Sequence, residues 1–319
     1  YITVLEGIQD KVGHNGRVIY SEGSHLYQDR VENLAWKNDR IAEAVIVAKH
    51  SDVVVLCVGL NETLEGEEGD TGNSYASGDK ADLTLPQCQR DLMAAVLETG
   101  KPVIVCLMAG SAIDLSLADE KAAAVLQLWY PGARGGSAVA DILFGDISPS
   151  GKLSVTFYRS LDGMPAFEDY SMQGRTYRYL TDAPLYPFGY GLSYGNVIVK
   201  DAEITAKDDD SRDVTLRVDV SNQGSVETMD VVQIYVKDLE SEFAVPNHSL
   251  CAFARVSLQP GEKRSLELKV SGEAFSAVNE EGERIKDSGK YMLFAGTGQP
   301  DKRTQELTGK ECVKVDVEF

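Results

Sequence analysis

The sequence is poor in basic charge, in histidine and in long apolar runs, and its cysteines form no pattern. Its 31 Lys and Arg face 50 Asp and Glu, a net charge of −19. That balance excludes nucleic acid and anionic membranes as partners, because both demand basic patches. No apolar run approaches the roughly 20 residues of a membrane span. The five cysteines are odd in number and include no CxxC pair, which argues against a disulfide framework or structural zinc. Cys57 and Cys106 lie inside apolar strand runs and read as small core hydrophobes. Such usage points to a reducing, cytoplasmic setting. Tyr1–Asp10 lacks the basic start and apolar core of a signal peptide. The chain opens on Tyr1 rather than Met, so a removed leader, and with it secretion, is the alternative. His14, His25, His50 and His248 have no Ser, Cys or metal-ligand pattern beside them, and each reads as a surface or satisfied residue. Asn61-Glu62-Thr63 and Asn247-His248-Ser249 match the glycosylation sequon, which matters only in a eukaryotic secretory setting.

What is present reads as two domains, since 319 residues exceed what one core usually serves. Val4–Val12 reads as a helix closed by Gly13, Arg17–Tyr20 as a short strand, and Arg40–Lys49 as a helix capped by Asp39. Val53–Val58 and Val103–Leu107 are unbroken, largely β-branched runs, as in strands buried on both faces of a parallel sheet. Pro86 opens a helix through Leu97, a strand lies within Ala122–Trp129, and Gly135-Gly136 introduces a helix over Ser137–Phe144. This alternation predicts an α/β sandwich, a mostly parallel sheet with helices on both faces, over residues 1–194 with its linker. The glycine-rich turn Gly132–Gly136 could cradle a phosphate, but it lacks the Lys-Ser/Thr of a P-loop and reads as fold chemistry.

Lys152–Tyr158 reads as extended. Tyr170–Tyr194, dense in Tyr and Gly, reads as an irregular packed segment between domains, with an aromatic sugar platform as the alternative. Beyond Gly195 the pattern is all-β. Val214–Val220, Val231–Val236, Ala252–Val256, Ser265–Val270 and Lys290–Ala295 are separated by Gly-containing turns. They predict an immunoglobulin-like, fibronectin type III-like β-sandwich over 195–319.

The chain is organised around Ser51–Gln89. Its first strand runs into a polar loop carrying Glu62, Glu65, Glu67, Glu68 and Asp70. In α/β sheets, ligands bind beyond the carboxyl ends of the strands. Carboxylates crowded between Glu65 and Asp70 repel one another, so at least one is expected to have a raised pKa, as a general acid requires. A solvated acidic loop is the plainer alternative. A calcium site from Asp70, Asn73 and Asp79 is a third, although their spacing matches no compact calcium loop.

Several long segments resemble the C-terminal portion of family 3 glycoside hydrolases. They are residues 53–70 (VVVLCVGLNETLEGEEGD), 83–96 (LTLPQCQRDLMAAV), 100–110 (GKPVIVCLMAG), 126–157 (LQLWYPGARGGSAVADILFGDISPSGKLSVTF), 164–179 (MPAFEDYSMQGRTYRY) and 184–194 (PLYPFGYGLSY). The likeness continues through 224–238 and 253–268 and so covers nearly the whole chain. It implies the α/β sandwich and fibronectin type III-like domains of that family, without its TIM barrel and without the first strand of the α/β domain. The catalytic aspartate nucleophile would then lie on a barrel domain or chain, which becomes the implied partner.

The same resemblance implies a β-glucosidase or β-xylosidase: retaining, exo-acting removal of terminal β-linked glucose or xylose from oligosaccharides or glycosides. No metal or organic cofactor is implied. In relatives with a Gly-Glu-Gly-x-Asp loop the acid/base is the Glu three before the Asp. Gly66-Glu67-Glu68-Gly69-Asp70 keeps that spacing, which makes Glu67 the first choice and Glu65 the second. Glu68 stands where the pattern has Gly, and Thr71 where an Arg often follows. A non-catalytic structural or carbohydrate-binding fragment is the competing reading, and a homo-oligomer stays open.

Overall fold

The computed structural model describes residues 1–30, 32–66, 80 and 82–319. Packing divides them into two units. One is Tyr1–Asp146 with Tyr158–Leu161, the other Ile147–Phe157 with Asp162–Phe319. No described helix is long and apolar enough to cross a membrane.

The first unit runs α1 (Val4–Val12), α2 (Asp39–Lys49), β1 (Val54–Gly59), α3 (Gln87–Leu97), β2 (Val103–Met108), α4 (Ser116–Lys121), β3 (Ala124–Gln127) and α5 (Gly135–Leu143). The three strands pair in parallel in the order β1-β2-β3. Alternation along β2 sends Ile104 and Cys106 to one face, where they pack with Val4 and Ile8 of α1 and Val139 and Leu143 of α5. Val105 and Leu107, on the opposite face, are fully buried. There α3 packs on β1, α4 on β3, and α2 and α4 on α3. The sheet therefore has helices on both faces, as the alternating pattern predicts.

The glycine-rich turn is used for packing. The Gly136 amide donates to the Ile2 carbonyl at 3.1 Å. A Cβ on Gly136 would stand 1.9 Å from the Thr3 carbonyl oxygen, so only glycine lets the two chain segments meet.

Three local expectations change in this unit. Arg17–Tyr20 forms no strand; among the described residues no strand pairs it, and Ile19 and Tyr20 are exposed. The cap of α2 is Asn38 at φ 55, with Asp39 the first helical residue. Asn tolerates the left-handed region, and Asp39 places its charge at the positive helix end. Cys106 is buried as expected, but Cys57, its partner in register, is exposed: the apolar cluster on that face takes in Val55 of β1 and leaves Cys57 out.

The second unit contains α6 (Thr176–Tyr179), β4 (Val197–Lys207), β5 (Val214–Asn222), β6 (Thr228–Asp238), β7 (Ser249–Leu258), β8 (Lys263–Val270), β9 (Ala277–Val278), β10 (Arg284–Ile285), β11 (Lys290–Gly296), α7 (Lys302–Thr308) and β12 (Val313–Glu318). Antiparallel sheets β12-β11-β6-β7 and β4-β5-β8 enclose one core, centred on Leu216, Val218, Ile234, Leu258, Leu293 and Phe275. Strand β4 was not legible as a strand because two register shifts against β5 break its alternation. Helix α7 interrupts the all-β pattern; Asp301 caps it by accepting from the Thr304 amide, and Gly309 ends it at φ 67.

Lys152–Tyr158 forms no regular strand; among the described residues it has one bridge, Phe157 to Tyr186. Polar anchors hold it instead: Lys152 Nζ lies 2.7 Å from the buried Asp230 carboxylate and donates to the Gly191 carbonyl at 2.6 Å. Within Tyr170–Tyr194 the rings mostly pack on one another. Tyr177 stacks on Phe188 with centroids 4.4 Å apart, and Tyr186 on Tyr190 at 5.6 Å.

Candidate functional site

Strand β1 ends at Gly59, and a buried amide fixes that end. Gln89 of α3 accepts from the Gly59 amide and donates to the Gly59 carbonyl, each at 2.7 Å, and donates to the Leu26 carbonyl at 2.6 Å. Asn61 then builds a turn. Its side-chain oxygen accepts from the Thr63 amide at 3.1 Å and hydroxyl at 2.7 Å, and its carbonyl accepts from the Leu64 and Glu65 amides. Leu64 is buried beneath this turn, so Glu65 has a fixed direction.

Glu65 points at the segments that leave β2 and β3. One carboxylate oxygen accepts from the Gly110 amide at 2.7 Å and from the Tyr130 hydroxyl; the other accepts from the Ser111 hydroxyl. Lys80 Nζ lies 3.9 Å from the carboxylate and donates to the Ala112 carbonyl at 3.0 Å. The side chains of Glu65 and Lys80 are only 11% and 19% exposed. Trp129, just before Tyr130, has φ 53, a conformation that costs energy in a bulky residue. Five residues from three strand ends thus converge at the carboxyl edge of the sheet, where α/β proteins bind ligands.

Electrostatics assign the carboxylate a state. Burial pushes the Glu65 carboxyl up, but hydrogen bonds from Ser111, Tyr130 and Gly110, with the Lys80 charge, outweigh it and hold Glu65 below its ordinary value. Burial, and after it the Glu65 carboxylate, push the Tyr130 phenol up, so it stays a donor. Burial lowers the Lys80 ammonium, against the pull of Glu65 and Asp82. Glu65 is therefore an ionised acceptor with its lone pairs engaged. A general acid near neutral pH must instead hold a proton.

Glu67, Glu68, Asp70, Asn73 and Asp79 lie outside the described residues. Sequence reasoning missed Lys80, Gln89, Ser111 and Tyr130 as site residues. All four lie in or beside segments singled out above, yet their partners are 15 to 65 positions away, beyond any local pattern.

Two other sequence features find their places. The Asn247 amide donates to the Tyr177 and Leu180 carbonyls at 2.9 and 2.8 Å, so that sequon is committed to packing. His248 is buried, 2.6 Å from the Gln299 side-chain oxygen, and so is a satisfied core histidine. Beside Gly59 an open groove of about 320 Å³ is lined by Tyr20, Glu22, His25, Cys57 and Met108 among others.

The sequence profile of the glycosyl hydrolase family 3 C-terminal domain matches residues 1–194, and that of a fibronectin type III-like domain matches residues 230–299. A periplasmic beta-glucosidase of Salmonella typhimurium is 36% identical over 322 residues, covering 92% of this chain and 41% of that protein. A xylan 1,4-beta-xylosidase of Xylanibacter ruminicola is 39% identical over 268 residues, covering 83% of this chain and 31% of that protein. Among solved structures, a β-glucosidase of Erythrobacter marinus superposes with a TM-score of 0.82 at 29% identity, over 99% of this chain and 43% of its own. The chain spans less than half the length of each of these relatives.

Proposed function

This chain belongs to glycosyl hydrolase family 3, and on that premise we propose that it supplies the acid/base of a retaining, exo-acting β-glycosidase. The substrate is an oligosaccharide or glycoside ending in β-linked glucose or xylose. A TIM-barrel domain or chain supplies the aspartate nucleophile. That aspartate attacks the anomeric carbon while Glu67 protonates the leaving oxygen. Glu67 then takes a proton from the water that releases the sugar. Retaining chemistry asks for carboxyl groups about 5–5.5 Å apart, so the two parts must close on one another.

The observation that carries this reading is the fixed stem at the carboxyl edge of the sheet. Glu65 is held there ionised by four partners, and Glu67 follows two residues later in its Gly-Glu-x-Gly-Asp setting. An ionised Glu65 supports assigning the proton-donor role to Glu67.

The test is hydrolysis of aryl β-glucoside and β-xyloside by the barrel-containing enzyme, wild type against Glu67→Ala, with and without azide. The variant is expected to lose about 10²–10⁴-fold on poor leaving groups and to regain turnover with azide. The faster wild-type substrate identifies the sugar. Near-wild-type turnover by Glu67→Ala would defeat the assignment.

A second, carbohydrate-binding reading is favoured by one surface feature. Phe167 and Tyr170 are 77% and 84% exposed. Their loop is held by the Arg175 guanidinium, which donates to the Ala166 and Asp169 carbonyls. Retardation of the chain on soluble polysaccharide gels, lost in Phe167→Ala/Tyr170→Ala, would support it.

A further inference from the structure

We infer that Lys80 and Glu65, together with Ser111 and Tyr130, are positioning residues for catalysis. They form a charge-paired clamp that ties residue 65 to residue 80, and both to the turn after β2. The inference rests on Glu67 being the acid/base.

The clamp joins points far apart in the chain. Glu65 takes hydrogen bonds from Gly110 and Ser111, Lys80 gives one to Ala112, and Tyr130 reaches Glu65 from beyond β3. Three consecutive residues, Gly110 to Ala112, therefore hold both Glu65 and Lys80, which are fifteen positions apart in the chain. Each group has a role the others cannot fill. The carboxylate can only accept, the ammonium can only donate, and the phenol stays protonated beside the charge.

Stability alone does not call for this arrangement. A buried ion pair has to offset the desolvation of both charges, and apolar residues of similar size hold a fold at least as well. Charged hydrogen bonds in fixed directions instead define a place. The constraint at Gly110 fits this role: a Cβ there would lie 2.9 Å from the Tyr130 ring and 3.3 Å from the Glu65 carboxylate. The positive φ of Trp129 is a second local cost accepted at the same point.

Connectivity links the clamp to the chemistry. Glu67 follows the anchored Glu65 by two residues, and each residue adds at most about 3.6 Å of reach, so an anchor at Glu65 bears on the acid/base through a short covalent link. A misplacement of about 1 Å at a reacting group costs about 10²-fold in rate. Loosening the anchor should therefore weaken proton donation and leave sugar binding alone.

The experiment compares the barrel-containing wild type with Lys80→Met, Lys80→Arg, Tyr130→Phe and Glu67→Ala, on aryl glycosides with good and poor leaving groups. Lys80→Met is expected to lower kcat on the poor leaving group by about 10- to 100-fold, with KM changed less than about threefold and the good leaving group nearly spared. Lys80→Arg restores most of the loss. Tyr130→Phe removes one hydroxyl, keeps the ring, and gives a smaller loss of the same kind; it decides the matter should Lys80→Met not fold. Losses equal across leaving groups, or no loss in folded variants, overturn the clamp. With Glu67→Ala impaired, that outcome leaves the acid/base reading in place. A Glu67→Ala enzyme near wild type removes the acid/base reading and the clamp proposal with it.

Discussion

Glu65 shows how far a side chain's environment can reverse what its neighbours in sequence suggest. Acidic crowding argues for a raised pKa somewhere between Glu65 and Asp70. At Glu65 the opposite holds, because four donors from distant parts of the chain act at hydrogen-bond or ion-pair range. Glycine at 110 makes this possible. Gly110→Ala would drive a methyl against the Tyr130 ring and the Glu65 carboxylate. We expect the substitution to destabilise the first unit by about 1–3 kcal/mol, the usual cost of overpacking. Urea unfolding of the chain measures it; an unchanged midpoint would mean that the turn relaxes freely.

Among the elements, those with one strong local signal were legible in the sequence. β1 and β2 are continuous apolar runs, α3 starts at Pro86, and β5 alternates inward and outward. Those that failed depend on a partner. Arg17–Tyr20 has the residues of a strand but no described strand beside it, while β4 is a strand whose bulges hide its period. The end of β1 depends on Gln89, a polar residue on the buried face of α3 that alternation would assign to solvent. Gln89→Leu would leave the Gly59 amide and carbonyl buried without their partner. Each such group costs about 1–3 kcal/mol, so a loss of at least 2 kcal/mol or so is expected by chemical denaturation. Gln89→Glu should do nearly as much harm, since a carboxylate cannot donate to the Gly59 and Leu26 carbonyls.

For the whole molecule, the second unit carries a pH dependence that the sequence did not announce. Burial pulls the His248 imidazole below its ordinary value, and the Gln299 hydrogen bond only partly opposes the fall. The unfolded chain binds a proton at about pH 6.5, and the folded unit resists it. Stability is therefore full above about pH 6.5 and declines as the pH falls below it towards the folded-state pKa. Thermal unfolding followed from pH 7.5 to 5.5 should show the midpoint falling, and His248→Phe should flatten that slope while lowering the baseline. An identical slope in the variant would assign the dependence to other groups.

By itself the sequence determined the order of the elements, the change from alternating α/β to all-β, and the family. These rest on periodicities of two and 3.6 residues, on Pro and Gly punctuation, and on contiguous motifs. It also named the acidic stretch as the candidate site, because a strand that runs into a polar loop can be read locally. Only the tertiary structure gave Glu65 its charge state. Glu65 is an ionised anchor because folding brings it Gly110, Ser111, Tyr130 and Lys80. A pKa depends on solvation and on charges within a few ångströms, and the ends of three strands become neighbours only when the sheet has formed.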